Sequence, residues 1–184
     1  MNVDYNGGKD PWVETFRGHK FHILNPKPEE IDIKDIAHSL AMQCRFTGHV
    51  KTFYSIAEHC IHVSHLCSKE YALEGLLHDA SEAYLSDLNR PAKHFTLIKE
   101  PYIELENKIT NAIYSKFNVI PVDKSAIKAV DNIMLGLEAR KLMRNVGGWA
   151  DDFPITDIKL YCWSTAQAEK EYIKRFKQLT KKKR

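Results

Sequence analysis

An all-α fold is what this sequence predicts: a single helical bundle, with a short β clasp at its N-terminus. Three observations carry that expectation. Long segments repeat apolar residues at helical period, notably Ile103, Leu105, Ile109, Ile113 and Phe117, then Ile127, Val130, Met134, Leu137 and Leu142. Two capping boxes, Ser55-Ile56-Ala57-Glu58 and Ser164-Thr165-Ala166-Gln167, mark helix starts. Helix breakers fall between the periodic segments, at Pro91, at Asn118-Val119-Ile120-Pro121 and around Gly147-Gly148 and Pro154. A chain of 184 residues with 43% apolar content is long enough to bury one real core. It shows no internal repeat and no low-complexity linker. The expected division is an N-terminal extension over residues 1–34, a helical domain over 35–180 and a basic tail over 181–184.

The elements follow in order. Gly7-Gly8, Pro11, Gly18, Pro26 and Pro28 exclude a helix near the N-terminus. Trp12–Phe16 and Lys20–Ile23 flank Arg17-Gly18-His19 as a hairpin or extended clasp would. Asp35 reads as the cap of a helix through Ile36, Ala37, Leu40 and Ala41, ending near Cys44. The loop Arg45–Phe53 combines two basic residues, a glycine and aromatics. Such a loop suits gripping an anion beside a flat or sugar-like surface, and equally suits an ordinary connection. Ser55 then starts a helix carrying His59, His62 and His65, the last two fitting polar positions on a half-exposed face. Ser68 starts the next helix, which is expected to run through Leu76 to about Ser86, where Pro91 forbids simple continuation. Pro101 suits the first turn of a further helix, Asp123 caps another, and the last runs through Tyr172, Phe176 and Leu179.

Charge and cysteine usage narrow the function classes. The net charge is +3, but Lys181-Lys182-Lys183-Arg184 supplies four positives, leaving a body at −1. Binding to polymeric nucleic acid is therefore not expected. Four cysteines without a CxxC pair, and no secretory signal, suit reduced thiols in a cytoplasmic protein. No apolar run approaches the roughly 20 residues that span a bilayer, so no membrane partner is expected.

The chemistry concentrates in Leu76-Leu77-His78-Asp79-Ala80-Ser81-Glu82. Leu73, Leu76, Leu77 and Ala80 make a buried stripe at helical period, and His78, Asp79 and Glu82 occupy the neighbouring sector. Two carboxylates and an imidazole beside a core are costly unless something compensates them. A divalent cation would. A half-buried histidine with both acids in solvent is the plain alternative for an isolated His-Asp pair.

His59, His78-Asp79 and Asp131 stand in the order H…HD…D and resemble the HD-domain metal-dependent phosphohydrolase superfamily. Arg45-Phe46, Ala57-Glu58-His59-Cys60, His78–Glu82, Asp87–Lys93 and Lys128–Asp131 are together similar to the bacterial 5′-deoxynucleotidase group and its phage relatives, the dATP triphosphohydrolases. The similarity runs from about Asp35 to Leu142. It implies an HD-domain bundle, a homo-oligomer, and cleavage of the 5′-phosphate ester of deoxynucleotides, either monophosphates or triphosphates. It implies His59, His78, Asp79 and Asp131 as ligands of a divalent transition metal, with zinc, cobalt and manganese suiting the donor set and magnesium a further option on the phosphate chain. Glu82 would orient or deprotonate water, and Arg45 would grip phosphate. Phe46 would lie under the sugar, with Asp87 near its 3′-hydroxyl or at the leaving group, and Lys93 would add a phosphate contact; around Gly48-His49 the loop departs from that group, and His49 offers an extra phosphate contact. Glu138, His62, His65 and His94 are assigned to helix exteriors. Two other readings stay open: hydrolysis of a different signalling nucleotide, and a non-catalytic nucleotide sensor. A metal-stabilised structural domain is the third class.

Overall fold

The computed structural model describes residues 10–121, 124–146 and 148–181. The described chain is mostly helical, with one two-stranded sheet. Strands β1 (Trp12–Glu14) and β2 (Lys20–His22) pair antiparallel, with Val13 opposite Phe21. Phe21 enters the core and stacks on Tyr84 at 3.7 Å between ring centroids. This is the expected clasp. Its turn is tied down by Asp35, which accepts from the Arg17 backbone N–H at 2.9 Å and meets His19 Nδ1 at 3.2 Å. Asp35 is therefore not the cap expected of it. That role belongs to Asp32, whose side chain accepts from the Lys34 N–H, and helix α1 spans Ile33–Met42.

Helix α2 (Ile56–Leu66) is the centre of the bundle, with every residue from Ile56 to Ser64 buried. Ser55 caps it as expected, accepting from the Glu58 N–H at 3.1 Å. The Glu58 carboxylate does not reach back to close the box. It accepts instead from three consecutive backbone amides, of Tyr161, Cys162 and Trp163, at 2.6, 3.0 and 2.8 Å. A buried charge met by three donors is satisfied, and the strap before the last helix is fixed to α2. His62 is also buried, stacked parallel to Tyr161 and Trp163, rather than half-exposed.

Around α2 pack α1, α3 (Ala72–Leu77), α7 (Lys124–Leu142) and α8 (Thr165–Thr180). Gly75 allows α3 its close approach, since a Cβ there would lie 2.7 Å from Cys67 Sγ. The shared core holds Ile36, Leu40, Ile61, Leu76, Leu77, Ile109, Ile113 and Tyr172. Each fully buried aliphatic side chain there contributes about 1.5–3 kcal/mol. Tyr172 buries its ring and donates its hydroxyl to Leu76 O at 2.8 Å, which docks α8 on the end of α3.

The helix expected from Ser68 to Ser86 is broken. Helix α3 ends at Leu77 without a side-chain cap at its start, and α4 covers only Glu82–Leu85. Between them the bonds run i to i+3, from Ala80 N–H to Leu77 O and from Glu82 N–H to Asp79 O. A short helix α5 (Arg90–His94) follows, capped by Asn89, and α6 (Lys99–Phe117) begins two residues before Pro101. Asp123, Gly7-Gly8, Gly147 and residues 182–184 of the basic tail lie outside the described residues. No helix among the described residues is long and apolar enough to cross a membrane.

Candidate metal centre

Three elements converge on one point. The first turn of α2 supplies His59, which is fully buried. The turn after α3 supplies His78 and Asp79, and α7 supplies Asp131. His59 Nδ1 lies 2.7 Å from Glu138 Oε1, and His78 Nδ1 lies 2.9 Å from the Gly75 carbonyl oxygen. Both partners are acceptors, so each Nδ1 carries a proton and Nε2 is the nitrogen left to take a metal ion or a second proton. The two Nε2 atoms face each other at 3.3 Å. Asp79 Oδ2 stands 3.2 Å from His78 Nε2 and 3.6 Å from His59 Nε2, and Asp131 Oδ1 is 3.3 Å from His59 Nε2.

Those separations, 3.2–3.6 Å, are compatible with donors that share one divalent ion. With metal–donor bonds of about 2.1 Å, neighbouring donors lie about 3.0 Å apart in an octahedron and about 3.4 Å apart in a tetrahedron. His59, His78 and Asp131 are a group able to hold a divalent ion, and Asp79 borders it. Electrostatics agree. Burial alone would raise the carboxyls of Asp79 and Asp131, yet the facing imidazoles hold both well below the usual carboxylate range. Burial likewise opposes charge on His78, but Asp79 beside it outweighs that and raises its pKa well above the ordinary value.

Glu138, assigned from sequence to a helix exterior, is fully buried at the centre of this network. Its Oε1 accepts from Tyr54 OH at 3.0 Å as well as meeting His59, and its Oε2 accepts from Arg45 Nε at 3.0 Å. The available signal was its spacing: seven residues after Asp131, Glu138 lies two turns along the same face of α7.

Arg45 is buried, not open to solvent. Its Nη1 lies 3.7 Å from Asp79 Oδ2 while its Nε edge is held by Glu138. Bidentate phosphate binding through the Nε edge is thus blocked by Glu138. The loop after Arg45 is anchored at its ends by the Cys44–Ser55 bridge and the Arg45 N–H to Tyr54 O bond at 2.9 Å. Inside it Phe46 and Thr47 take left-handed φ of 56° and 54°, a costly choice for residues with a Cβ. Phe46 is half-buried, its ring 5.5 Å from the Arg45 guanidinium carbon, and His49 is exposed.

Glu82 lies one turn beyond His78. Its Oε2 is enclosed and has no hydrogen-bond partner among the described residues. Burial, then Asp79 and Asp87, push its carboxyl well up. Burial also raises Asp87, with Arg45 working against it. Gln43, not singled out in the sequence, positions both: its amide donates to Glu82 O at 3.0 Å and its oxygen accepts from the Asp87 N–H at 3.3 Å. Lys93 is not free to meet phosphate, since its ammonium donates to Glu106 Oε1 at 2.6 Å. Two cations missed from sequence contact Asp131 instead: Lys128 Nζ at 2.6 Å and Arg90 Nη2 at 3.8 Å from its outer oxygen. His65 and His94 are exposed and outside the group, as expected. A cavity of about 450 Å³ lies elsewhere, between the hairpin and α1, lined by Phe16, His38, Met42, Gln43 and Tyr84. Ala83 and Ser86, like Tyr84 part of the Glu82–Asp87 segment, line it as well.

Two bacterial proteins are similar to this chain over most of its length. The uncharacterized protein YfdR of Escherichia coli (strain K12) is 37% identical over 150 residues, 80% of this chain and 83% of that one. The uncharacterized protein RCAP_rcc00048 of Rhodobacter capsulatus is 35% identical over 147 residues, 73% of this chain and 74% of that one. No family model matches the chain.

Proposed function

The chain belongs to the family of the Escherichia coli protein YfdR, and we propose that it is a metal-dependent phosphohydrolase of the HD type that cleaves the 5′-phosphate ester of deoxynucleotides. One observation carries the metal half of this reading. Two imidazoles, each with Nδ1–H already committed, aim their Nε2 atoms at each other across 3.3 Å. Nitrogens opposed in this way need a proton or a metal ion between them, and Asp79 and Asp131 close the same space with negative charge that a divalent ion would offset.

His59, His78, Asp79 and Asp131 would hold the ion, and this mixed set of nitrogen and carboxylate oxygen fits zinc, cobalt or manganese. When bound, such an ion supplies Lewis acidity at phosphorus and lowers the pKa of water. The chain's own residues do the rest. Glu138 keeps His59 in the ligating tautomer, as outer partners of metal-bound imidazoles do. Glu82 Oε2, enclosed and without a hydrogen-bond partner among the described residues, takes the proton of the attacking water, and burial with Asp79 and Asp87 nearby raises its affinity for that proton. The water oxygen bonds to phosphorus as the P–O5′ bond breaks, and the proton taken by Glu82 passes to O5′, so the nucleoside leaves as an alcohol with phosphate or triphosphate as the other product. The positive charge of Arg45, held inward by Glu138, stabilises negative charge at the centre through its Nη1 side. Arg90, 3.8 Å from the outer oxygen of Asp131, is an exposed cation for the phosphate chain, and exposed His49 offers a further contact. Phe46 faces the deoxyribose, and Asp87 accepts from its 3′-hydroxyl.

The test is a screen of the metal-loaded protein against deoxy- and ribonucleotide mono- and triphosphates, with the nucleoside product followed by chromatography. Release of a deoxynucleoside that stops on chelation and returns with manganese, cobalt or zinc supports the reading. A protein that binds the ion and releases nucleoside from none of these substrates refutes it.

A further inference from the structure

Cys60 is a buried nucleophile beside the centre that the hydrolytic reading leaves unused. It follows His59 on α2 and is fully enclosed. Its sulfur is a free thiol. With His78 and Asp79 it forms a second group able to hold a metal, one donor atom from each lying within 4.8 Å of the others. Burial pushes the thiol up to about 11, with His78 the main influence in the other direction, and Asp79 and Glu82 are also felt there. The thiol is also a side-chain hydrogen-bond partner of His78, so its sulfur faces a nitrogen already placed at the centre.

The two groups compete. His78 Nδ1–H is committed to the Gly75 carbonyl, so its Nε2 lone pair is the single one the ring can offer. His59, His78 and Asp131 need that lone pair, and so do Cys60, His78 and Asp79. One ion at a time can take it. The donor sets also differ in softness: the first is nitrogen and oxygen alone, whereas the second includes sulfur.

We propose that Cys60, His78 and Asp79 form a second metal position, overlapping the first, that captures thiophilic divalent ions of the zinc and cadmium class. Ligation converts the S–H of Cys60 to a metal–sulfur bond and releases its proton to solvent, with no change of oxidation state. An ion held there leaves His59 and Asp131 without their share of it. Hard ions such as manganese stay with the nitrogen and oxygen donors. Cys60 thereby sets which metals support the site and which arrest it. The proposal rests on the metal reading of His78 and Asp79 and is independent of what the centre hydrolyses.

Cobalt gives the direct readout, because thiolate ligation adds a charge-transfer band in the near ultraviolet. Wild-type protein titrated with Co²⁺ is expected to develop that band, and both Cys60→Ser and Cys60→Ala are expected to lack it. Cys44, Cys67 and Cys162 remain in both variants and act as internal controls. Competition with a chromophoric chelator should show Cd²⁺ affinity falling at least ~10-fold in Cys60→Ala, with Mn²⁺ affinity changing less than ~3-fold. Retained Mn²⁺ binding certifies that the variant is folded. A wild type without the band, a band that survives in Cys60→Ala, or equal losses for Cd²⁺ and Mn²⁺ each overturns the proposal. If the wild type binds neither Mn²⁺ nor Co²⁺, the metal reading itself has failed.

Discussion

Replacing Glu138 by glutamine changes one oxygen to an NH₂ group at a fully buried position where three donors meet. The carboxylate accepts from all three. An amide has a single oxygen, so its NH₂ must face either Arg45 or the Tyr54 and His59 pair. If it faces His59, the imidazole moves its proton to Nε2 and loses the lone pair that points at Asp131 and His78. If it faces Arg45, a buried guanidinium loses its nearest counter-charge. Metal affinity should therefore fall about 10- to 100-fold, the usual cost of losing the outer partner of a ligating histidine, or roughly 1.4–2.8 kcal/mol. Breaking a buried ion pair costs roughly 3–5 kcal/mol, and the low end applies because Asp79 remains 3.7 Å from Arg45. For a chain of this size that is a fall in Tm of roughly 6–12 °C in the metal-free protein. Chelator competition and thermal unfolding measure the two effects separately. Metal affinity unchanged within threefold, in a variant whose Tm has dropped, would refute the positioning role and leave Glu138 a purely structural anchor.

Asp79→Ala should abolish stoichiometric metal binding while circular dichroism still reports a helical fold, because Asp79 lies beside the Leu76 and Leu77 core and not within it; retained metal and turnover would sink its assignment. Glu82→Gln should keep metal and nucleotide binding but lower turnover by about 10²-fold or more, the share of a lost general base; equal turnover would leave Glu82 an idle buried carboxyl. Phe46→Ala should erode a preference for deoxyribonucleotides, worth about 1–3 kcal/mol as the cost of an unpaired 2′-hydroxyl; equal kcat/KM for ribo- and deoxyribonucleotides in the wild type would remove the ring from sugar recognition. The pH dependence has opposite signs with and without metal. In the metal-free protein burial disfavours charge on His59 and His78, but Glu138, Asp131 and Asp79 raise both pKa values. Their stabilisation is thus fully present below the unfolded histidine value of about 6.5 and lost as pH rises through the raised folded values. Protons and the ion compete for Nε2, so metal affinity should instead rise with pH across that range, and a pH-independent affinity would contradict ligation by the two imidazoles.

Much of this centre could be read before the fold. His59, His78, Asp79 and Asp131 stand at spacings that helices α2, α3 and α7 bring to one point, and the Ser55 cap fixes the start of α2. What sequence order conceals is the long-range partner. Glu138 looks like any acid on an amphipathic helix until Arg45 and Tyr54 arrive from 93 and 84 residues away. Glu58 likewise fits a capping box, yet its carboxylate serves a strap more than 100 residues later. Periodicity also missed the break at His78, because that residue keeps helical φ of −62° and ψ of −36° while the following bonds tighten to i, i+3. Lys93 fits the phosphate role that the resemblance implies, and only the fold reveals Glu106 as its partner.

The central claim is that His59, His78, Asp79 and Asp131 hold one divalent ion, and the most direct measurement is anomalous diffraction at the manganese edge from crystals grown with Mn²⁺. The account predicts one strong peak between His59 Nε2 and His78 Nε2, with Asp79 Oδ2 and Asp131 Oδ1 completing the ligand set. No peak there, or peaks confined to carboxylates elsewhere on the surface, would contradict it.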